Sequence, residues 1–507
     1  MEGWLNTTAI CPVAVRSNSN WRDCDRDKYT VMRWLAASTW QPTARILISS
    51  TPVSPQSLAD NTWSVSVSAT ATLDDQGRYA TASPADPYDL TFGLVKNGDG
   101  QWRISSAPDG TVLPPSRFAS IFSSYEVFFF DPTFRFLVPD LRWFRKGTTA
   151  ATSVVDAMLA GPSDRLGDGA LFSAFPAGTT RDGGKVEITA GTAVVPLTAD
   201  VNAGSTTTHR RMEQQLLQTL RSVTSIREVD ITVNKFTLQI PDGGSPPDSS
   251  YLVGNDPVGG FDGKVGVLGE DGVTAISGIG RSADDLGARG GSIVSHDRDA
   301  IALLGDQGVS IVRAGTAPEL IDDRSRLIAP SLDALGFTWT VPSDSPSSLK
   351  AIGDDGAVHD VAGLPSDGRI VSIDVSRDGA RLLVALQTVG GPRLIVAGIQ
   401  RDAELVPTGL LTPLDIPIGS ADLLDAAWVD GVTVVTLSDD TLTSVDAYAI
   451  GGQHTSMGAL EGGRVIVGGN TLDGTRVLDD KGNVQRPGGG TSWQDTGIDA
   501  SFLVTQQ

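Results

Sequence analysis

The sequence predicts a multidomain, β-rich protein in four parts: an α+β segment over 1–125, a second α+β domain over 126–241, a linker at 242–254, and a β-propeller of about six blades over 255–507. Three observations carry this. The chain has 507 residues, more than the roughly 250 to 300 that one core sustains. The stretch Glu126 to Ser163 is dense in aromatics in its first half and reads as a short helix closed by Gly161-Pro162 in its second. Beyond Pro241 the chain becomes a run of short β-rich segments punctuated by Asp-Gly pairs.

Composition narrows the functional classes. Residues 251–507 hold 35 acidic and 17 basic side chains, a net charge of −18, whereas residues 1–250 carry only −3. A surface of that sign repels phosphate backbones and anionic headgroups, so nucleic acid is excluded as a partner and direct lipid binding is disfavoured. No apolar run reaches the roughly 18 residues needed to span a bilayer. Cys11 and Cys24, the only cysteines, can pair or stay free, and two cysteines do not define a compartment. The opening residues show neither a basic n-region nor an apolar h-region, and Ile10 stands where a lipid-attachment box wants a small residue before Cys11.

In the first segment, Tyr29, Val31, Met32, Leu35 and Ala36 recur at helical spacing and predict a helix over Asp27–Ser38. Trp63 to Ser68 alternates as a half-buried strand, and Tyr88–Lys96, the turn Asn97-Gly98-Asp99-Gly100 and Gln101–Ile104 read as a hairpin. That turn lacks the ligands of a calcium loop. A helix followed by an antiparallel sheet ending in such a hairpin is similar to the cone-shaped NTF2-like fold, with part of it expected upstream of Met1.

In the middle segment, Phe128–Phe130, Phe134–Val138 and Pro139–Phe144 read as extended. Thr148 or Thr149 caps a helix whose apolar face is Val154, Val155, Met158 and Leu159. Phe172–Thr179, Lys185–Thr189 and Thr192–Leu197 read as strands. His209–Val223 is an amphipathic helix with Met212, Leu216, Leu220 and Val223 on one face, and Val229–Asn234 and Phe236–Ile240 are extended. Mixed strands with two helices make an α+β sandwich.

The order LVPDLRWF, a helix ending MLAGPS, SAFPAGT, TAVVPL, a long helix and IREVDITVN resembles the GerMN (sporulation and germination) domain. The wording FFFDPTFRFLVPDLRWF, with its flanking segments, resembles the actinobacterial lipoprotein LpqB family over essentially the whole chain. Family members begin with a lipoprotein signal peptide and lipobox, neither of which is visible here; a downstream start codon or a trimmed chain would account for the difference. The resemblance implies a lipid-anchored protein on the extracytoplasmic face of the cell membrane. It further implies partnership with the extracellular domain of the sensor histidine kinase MtrB, and so an influence on the MtrA-MtrB two-component system and cell-envelope homeostasis.

In the last segment, Asp-Gly pairs begin at Asp262, Asp271, Asp355, Asp367, Asp378, Asp430 and Asp473. Similar units start at Ile293, Ile328, Val375 and Ala427, at uneven offsets near the 40 to 50 residues of a propeller blade. The alternative is a pair of β-sandwiches.

Chemical motifs are absent. His209, His296, His359 and His454 have no metal-ligand spacing, the Asp-Gly aspartates are turn formers, and no nucleophile elbow, phosphate loop or dinucleotide fingerprint occurs. No catalytic, cofactor-binding or metal residue is therefore assigned. Arg135, Arg142, Arg145 and Lys146, set among aromatics, are the candidate protein-docking residues, since arginine with aromatics is enriched at interface hot spots; the opposing reading makes Phe134, Phe136, Trp143 and Phe144 core and the charges a solvated rim. The expected function is a non-enzymatic interaction module. The alternatives are binding of envelope glycans, and a propeller that hydrolyses glycans or lactones.

Overall fold

The computed structural model describes residues 44–50, 55–58, 61–82, 85–163, 166–167, 169–241, 243, 252–279, 282–284, 286–294 and 299–507. The predicted helix over Asp27–Ser38, Cys11, Cys24 and His296 lie outside them. The chain divides into two compact units: residues 1–125 with 142–153, and residues 126–141 with 154–507.

The first unit is built on two four-stranded sheets. One runs β5 (Tyr79–Thr81), β4 (Ala71–Asp74), β1 (Arg45–Ile48) and β8 (Thr111–Leu113); the other runs β2 (Pro55–Ser57), β3 (Thr62–Val67), β6 (Tyr88–Lys96) and β7 (Trp102–Ser106). Side chains alternate across a strand, and β1 is apolar at three consecutive positions, so it is buried on both faces. Ile46 and Ile48 join Phe118 of helix α1 (Pro115–Ile121), while Leu47 joins Val65, Val67 and Phe92 of the second sheet. The expected hairpin forms at β6–β7. Asn97 Oδ1 accepts the amides of Asp99 and Gln101, and Gly100 takes φ +76°, so the turn chemistry alone explains these residues.

Strands β9 (Phe122–Phe130) and β10 (Leu137–Arg145) pair as a two-stranded sheet and contribute residues to both units. The two extended pieces expected over 134–144 are one strand, and Phe134 belongs instead to the turn before it, at φ +58°. Helix α2 (Ala150–Ala160) buries Val154, Val155, Ala157 and Met158 and ends at Gly161, φ +97°. Residues 172–179, expected as a strand, make only an isolated bridge from Phe172 to Phe130.

The second α+β module carries the sheet β11 (Glu187–Thr189), β12 (Thr192–Leu197), β13 (Glu228–Val233) and β14 (Phe236–Thr237). Strands β12 and β13 are parallel, which requires a crossover, and helix α3 (Thr206–Arg221) supplies it. Ser205 caps α3 by accepting the Thr208 amide at 3.1 Å. The helix buries Met212, Leu216 and Leu220. Ala193, Val195 and Leu197 alternate inward from β12, as do Val229, Ile231 and Val233 from β13.

From Val258 onward the chain forms antiparallel groups of four strands, one of which gains a fifth, Leu414–Ile416. Four are separate sheets, starting at Ser331, Arg369, Asp422 and Gly463. An eight-stranded sheet holds two further groups joined by a parallel pairing of Gly291–Ile293 with Phe502–Gln506. The innermost strands touch in cyclic order: Gly291–Ile293, Ser331–Leu332, Arg369–Val375, Asp422–Trp428, Gly463–Val467, Phe502–Gln506, and back to the first. Phe502–Gln506 also pairs with Val258–Phe261, so the last strand completes a group begun by the first strands of the region. This cycle is a β-propeller; a pair of sandwiches would instead give two large facing sheets. Of the seven Asp-Gly glycines, Gly263, Gly272, Gly356, Gly368 and Gly379 lie at positive φ, as turns require.

Candidate functional site

The innermost propeller strands carry the buried acids that a catalytic reading needs. Their hydrogen bonds give them another task. Ser292 Oγ accepts the Leu332 amide at 3.0 Å, Ser331 Oγ the Val375 amide at 2.9 Å, Asp374 Oδ2 the Trp428 amide at 2.9 Å, and Asp425 Oδ2 the Ile466 amide at 2.9 Å. Each of these side chains reaches from one innermost strand to a backbone N–H of the next, and the device repeats along four successive junctions. Burial pushes the carboxyl of Asp374 up to about 7 and that of Asp425 up to about 6, against the bonds they accept. Asp374 also accepts from Gln507 Nε2.

Further out, the Asp-Gly wording is a strand-linking turn. Asp378 accepts Ser376 Oγ and the Ala380 amide and pairs with Arg381 at 2.6 Å. Asp333 occupies the equivalent turn one group earlier. It receives the amides of Leu335 and Phe337, the Trp339 indole and Arg401 Nη2, the last at 2.7 Å with both side chains fully buried. A cavity of about 250 Å³ near the closing strands is lined by Asn255, Asn470, Asp473, Arg476 and Gln506. Asn470 exchanges two bonds with the Val253 backbone, and Gln506 donates to the carbonyls of Gly254 and Asp256. These two amides are thus committed to closing the ring.

The site with uncommitted chemistry is the β9–β10 turn. Asp131, fully buried, shapes it by accepting the amides of Thr133 (2.8 Å) and Phe136 (2.7 Å) and the Thr133 hydroxyl. Burial raises the Asp131 carboxyl above the usual range. The turn holds Phe134 in the left-handed region, which a bulky residue rarely occupies. Its ring lies 5.1 Å from Phe130 and 6.2 Å from Phe172, itself 38% exposed, and Arg211 stacks on it with its guanidinium carbon 4.0 Å from the centroid. Arg135, exposed, lies over Phe136 at 5.3 Å.

Arg211 arrives there through α3. Arg211, Gln215 and Thr219 follow at i, i+4 and i+8 and so share one helical ridge. Thr219 Oγ1 accepts the Phe128 amide at 3.1 Å, Gln215 Nε2 donates to the Phe128 carbonyl at 2.8 Å, and Gln215 Oε1 accepts the Ala174 amide at 2.9 Å. The two buried polar side chains clip the helix to β9, and the ridge's next member meets Phe134.

The four sequence-predicted docking residues divide between the two compact units. Arg135 is in the turn before β10 and belongs to the second, whereas Arg142, Arg145 and Lys146 belong to the first, the last two exposed at the end of β10. Arg142 is no surface residue at all: it is 2% exposed and its Nη1 donates to the Gln76 carbonyl at 3.1 Å. Strand alternation sends its neighbour Trp143 to the opposite face, where it packs against Phe118 and Tyr79. Lys146 Nζ donates to the Ala119 carbonyl. Sequence reading missed Arg211 and Phe172, which lie 76 and 37 residues beyond Arg135 and meet the turn only in the folded chain.

The described histidines have ordinary partners: His209 bonds the Val201 carbonyl, His454 bonds Asp446, and His359 lies edge-on to Phe337. Among the described residues no group of three or more His, Cys, Asp or Glu side chains could hold a metal ion, and no helix is long and apolar enough to cross a membrane.

Fold and site together define a multimodular β-propeller protein with an α+β domain before the propeller. Family models agree module by module: "Lipoprotein LpqB, N-terminal domain" matches residues 30–119, "Sporulation and spore germination" matches 126–237, and "Lipoprotein LpqB beta-propeller domain" matches 263–499. The chain belongs to the lipoprotein LpqB family. It is 24% identical over 468 residues to Lipoprotein LpqB of Thermobifida fusca, covering 77% of this chain and 72% of that one. With the Streptomyces coelicolor protein of the same name it shares 26% over 422 residues (72% and 65%), and with that of Cutibacterium acnes 24% over 491 (86% and 79%). Among solved structures, the first GerMN domain of the sporulation protein GerM from Bacillus subtilis is 22% identical, covering 25% of this chain and 95% of that one, with TM-score 0.20. A catalytically inactive form of virginiamycin B lyase from Staphylococcus aureus is 10% identical (42% and 84%), with TM-score 0.29.

Proposed function

We propose that this protein is a non-enzymatic docking lipoprotein of the extracytoplasmic membrane face that binds the extracellular domain of the sensor kinase MtrB. Through that contact it modulates MtrA-MtrB signalling and cell-envelope homeostasis. The observation that carries the non-enzymatic reading is the commitment of the channel acids: Asp374 and Asp425 each hold a backbone N–H of the neighbouring strand. A general acid or nucleophile must be free to exchange its proton or attack. What remains available is surface, and at the β9–β10 turn that surface joins arginines to aromatics, the composition of interface hot spots. Arg135 leads this reading, with exposed Arg145 and Lys146 as a second contact, and Arg142 is withdrawn from it.

The module boundaries proposed with this function are 1–125, 126–241, 242–254 and 255–507. The test is retention of the purified chain on the immobilised kinase extracellular domain. Binding at micromolar concentration supports the reading. No retention, together with release of reducing sugar from envelope glycans, would replace it with the hydrolase alternative.

A further inference from the structure

We propose that the β9–β10 turn and the second turn of α3 form a clamp for an acidic protein segment, whose carboxylates pair with Arg135 and Arg211 while its aliphatic atoms cover Phe134 and Phe172. The proposal refines the docking reading by giving the partner a chemistry, and it can fail separately.

Charge is the first argument. Acids outnumber bases 60 to 39 in this chain, and many arginines have taken a carboxylate: Arg181 pairs with Asp156, Arg313 with Glu319 and Asp354, Arg324 with Asp322, Arg393 with Asp415. Neither Arg135 nor Arg211 has such a partner among the described residues. Both instead lie against aromatic rings, at 5.3 Å and 4.0 Å. A guanidinium backed by a ring is held in one orientation while its N–H edges stay available, the arrangement that a bidentate carboxylate contact uses.

Backbone geometry is the second argument. Phe134 sits at φ +58° because Asp131 holds three groups of the turn at once. A bulky residue in that region costs roughly 1–2 kcal/mol, and such positions cluster where a side chain is presented to a ligand. Turning Phe134 out of the strand sets it between Arg211 and the partly exposed ring of Phe172.

Together these observations select the partner class. Two ring-backed arginines, Arg135 on Phe136 and Arg211 on Phe134, with the partly exposed Phe172 beside Phe134, suit a segment that alternates carboxylates with aliphatic side chains. An anionic lipid surface needs a larger basic patch than two arginines.

The experiment uses the full chain and a fluorescein-labelled peptide of about 15 residues alternating Glu or Asp with Leu, read by anisotropy. A Lys/Leu peptide of equal length is the control. Expected are saturable binding of the acidic peptide alone and weakening as salt rises, because screening shortens the Debye length to a few ångström near 1 M. The double variant Arg135→Glu/Arg211→Glu is expected to lose at least about tenfold in affinity, equivalent to about 1.4 kcal/mol. Arg326→Glu, a reversal at an exposed propeller arginine, is expected to change nothing. Circular dichroism melting of the double variant is expected to match wild type, so that a loss of binding is read on a folded protein. Equal binding by wild type and double variant, absence of binding, or capture by phosphatidylglycerol vesicles in place of the peptide would overturn the clamp. A double variant that no longer takes the peptide yet still binds the kinase domain leaves the proposed function intact and removes this clamp from it.

Discussion

Neutralising Asp374 tests the account of the propeller channel most directly. In the folded protein its carboxyl titrates near 7, and Asp425 near 6, both pushed up mainly by burial from an ordinary value of 3.8. Between pH 4 and pH 7 the native state therefore keeps protons that the unfolded chain has released. Stability then falls as pH rises through this window, since the slope follows the difference in bound protons. The charged groups facing Asp374 act in both directions: Arg377 favours its ionisation and Asp425 opposes it. Asp322 and Asp479, whose carboxyls are lowered by the bonds they accept, act only below about pH 4 and leave the window unaffected. One pKa unit is about 1.4 kcal/mol, so the two buried acids together make the propeller more stable at pH 5 than at pH 8 by on the order of a few kcal/mol. For an assembly of this size that is roughly 5–10 °C in melting temperature. Asp374→Asn is nearly isosteric. It keeps an oxygen for the Trp428 amide, and its new NH2 can meet Gln507 Oε1, buried and without a hydrogen bond in the present arrangement, once that amide turns. Calorimetry from pH 5 to pH 8 should show wild type melting higher at pH 5 and the variant with the larger part of that slope removed. A wild-type melting temperature that rises with pH in this range, or a variant with the wild-type slope, would refute the reasoning.

Other predictions rest on single contacts. Gln215→Ala leaves the Phe128 carbonyl and Ala174 amide without their shared partner and should cost about 2–4 kcal/mol in urea denaturation. Arg401→Met strands the buried Asp333 carboxylate and should cost about 3–5 kcal/mol, read as a lowered melting temperature. Phe134→Asn places a residue that tolerates φ +58° in the turn; stability should hold within about 1 kcal/mol while partner affinity drops, separating the backbone role of the turn from its aromatic one.

Much of the fold was legible in the sequence because its signals are local. Hydrophobic alternation marks β12 and β13, i, i+4 spacing marks α3, and turn aspartates mark the propeller strands. The site was legible only in part. Arg142 and Arg145 are three residues apart in β10 and equally basic in composition, yet one is buried and the other exposed. Strand alternation separates them once the strand is known to run unbroken from Leu137, and Pro139 obscured that continuity. The Phe134 turn was hidden because no glycine or asparagine announces its positive φ; the signal is Asp131, five residues before the amide of Phe136 that it accepts. Arg211 was unreachable by local reading, since its place follows from how Gln215 and Thr219 dock on β9.

The pair Asp430-Gly431 shows how a correct local reading can leave out the larger reason for a residue. Asp430 does form the turn, with Oδ1 accepting the amides of Val432 and Thr433 at 2.8 Å. Gly431, however, is not at positive φ, so the turn does not demand glycine there. The demand comes from β10: a Cβ at Gly431 would lie 2.7 Å from Cγ of Pro139, and one at Gly452 would lie 3.0 Å from Cδ2 of Leu141. These glycines let the propeller turns approach the strand that leads away from the docking turn. Gly431→Ala should therefore cost about 1–3 kcal/mol through overpacking, because a proline ring cannot rotate out of the way. Hydrogen exchange should quicken at residues 137–141 and 430–433 while the amides of Leu382–Leu386, deep in another propeller strand, keep their protection. Unchanged exchange at 137–141 would show that this seam is loose. The docking turn would then have to be held by α3 alone, and Gln215→Ala rather than Gly431→Ala would be the substitution that releases it.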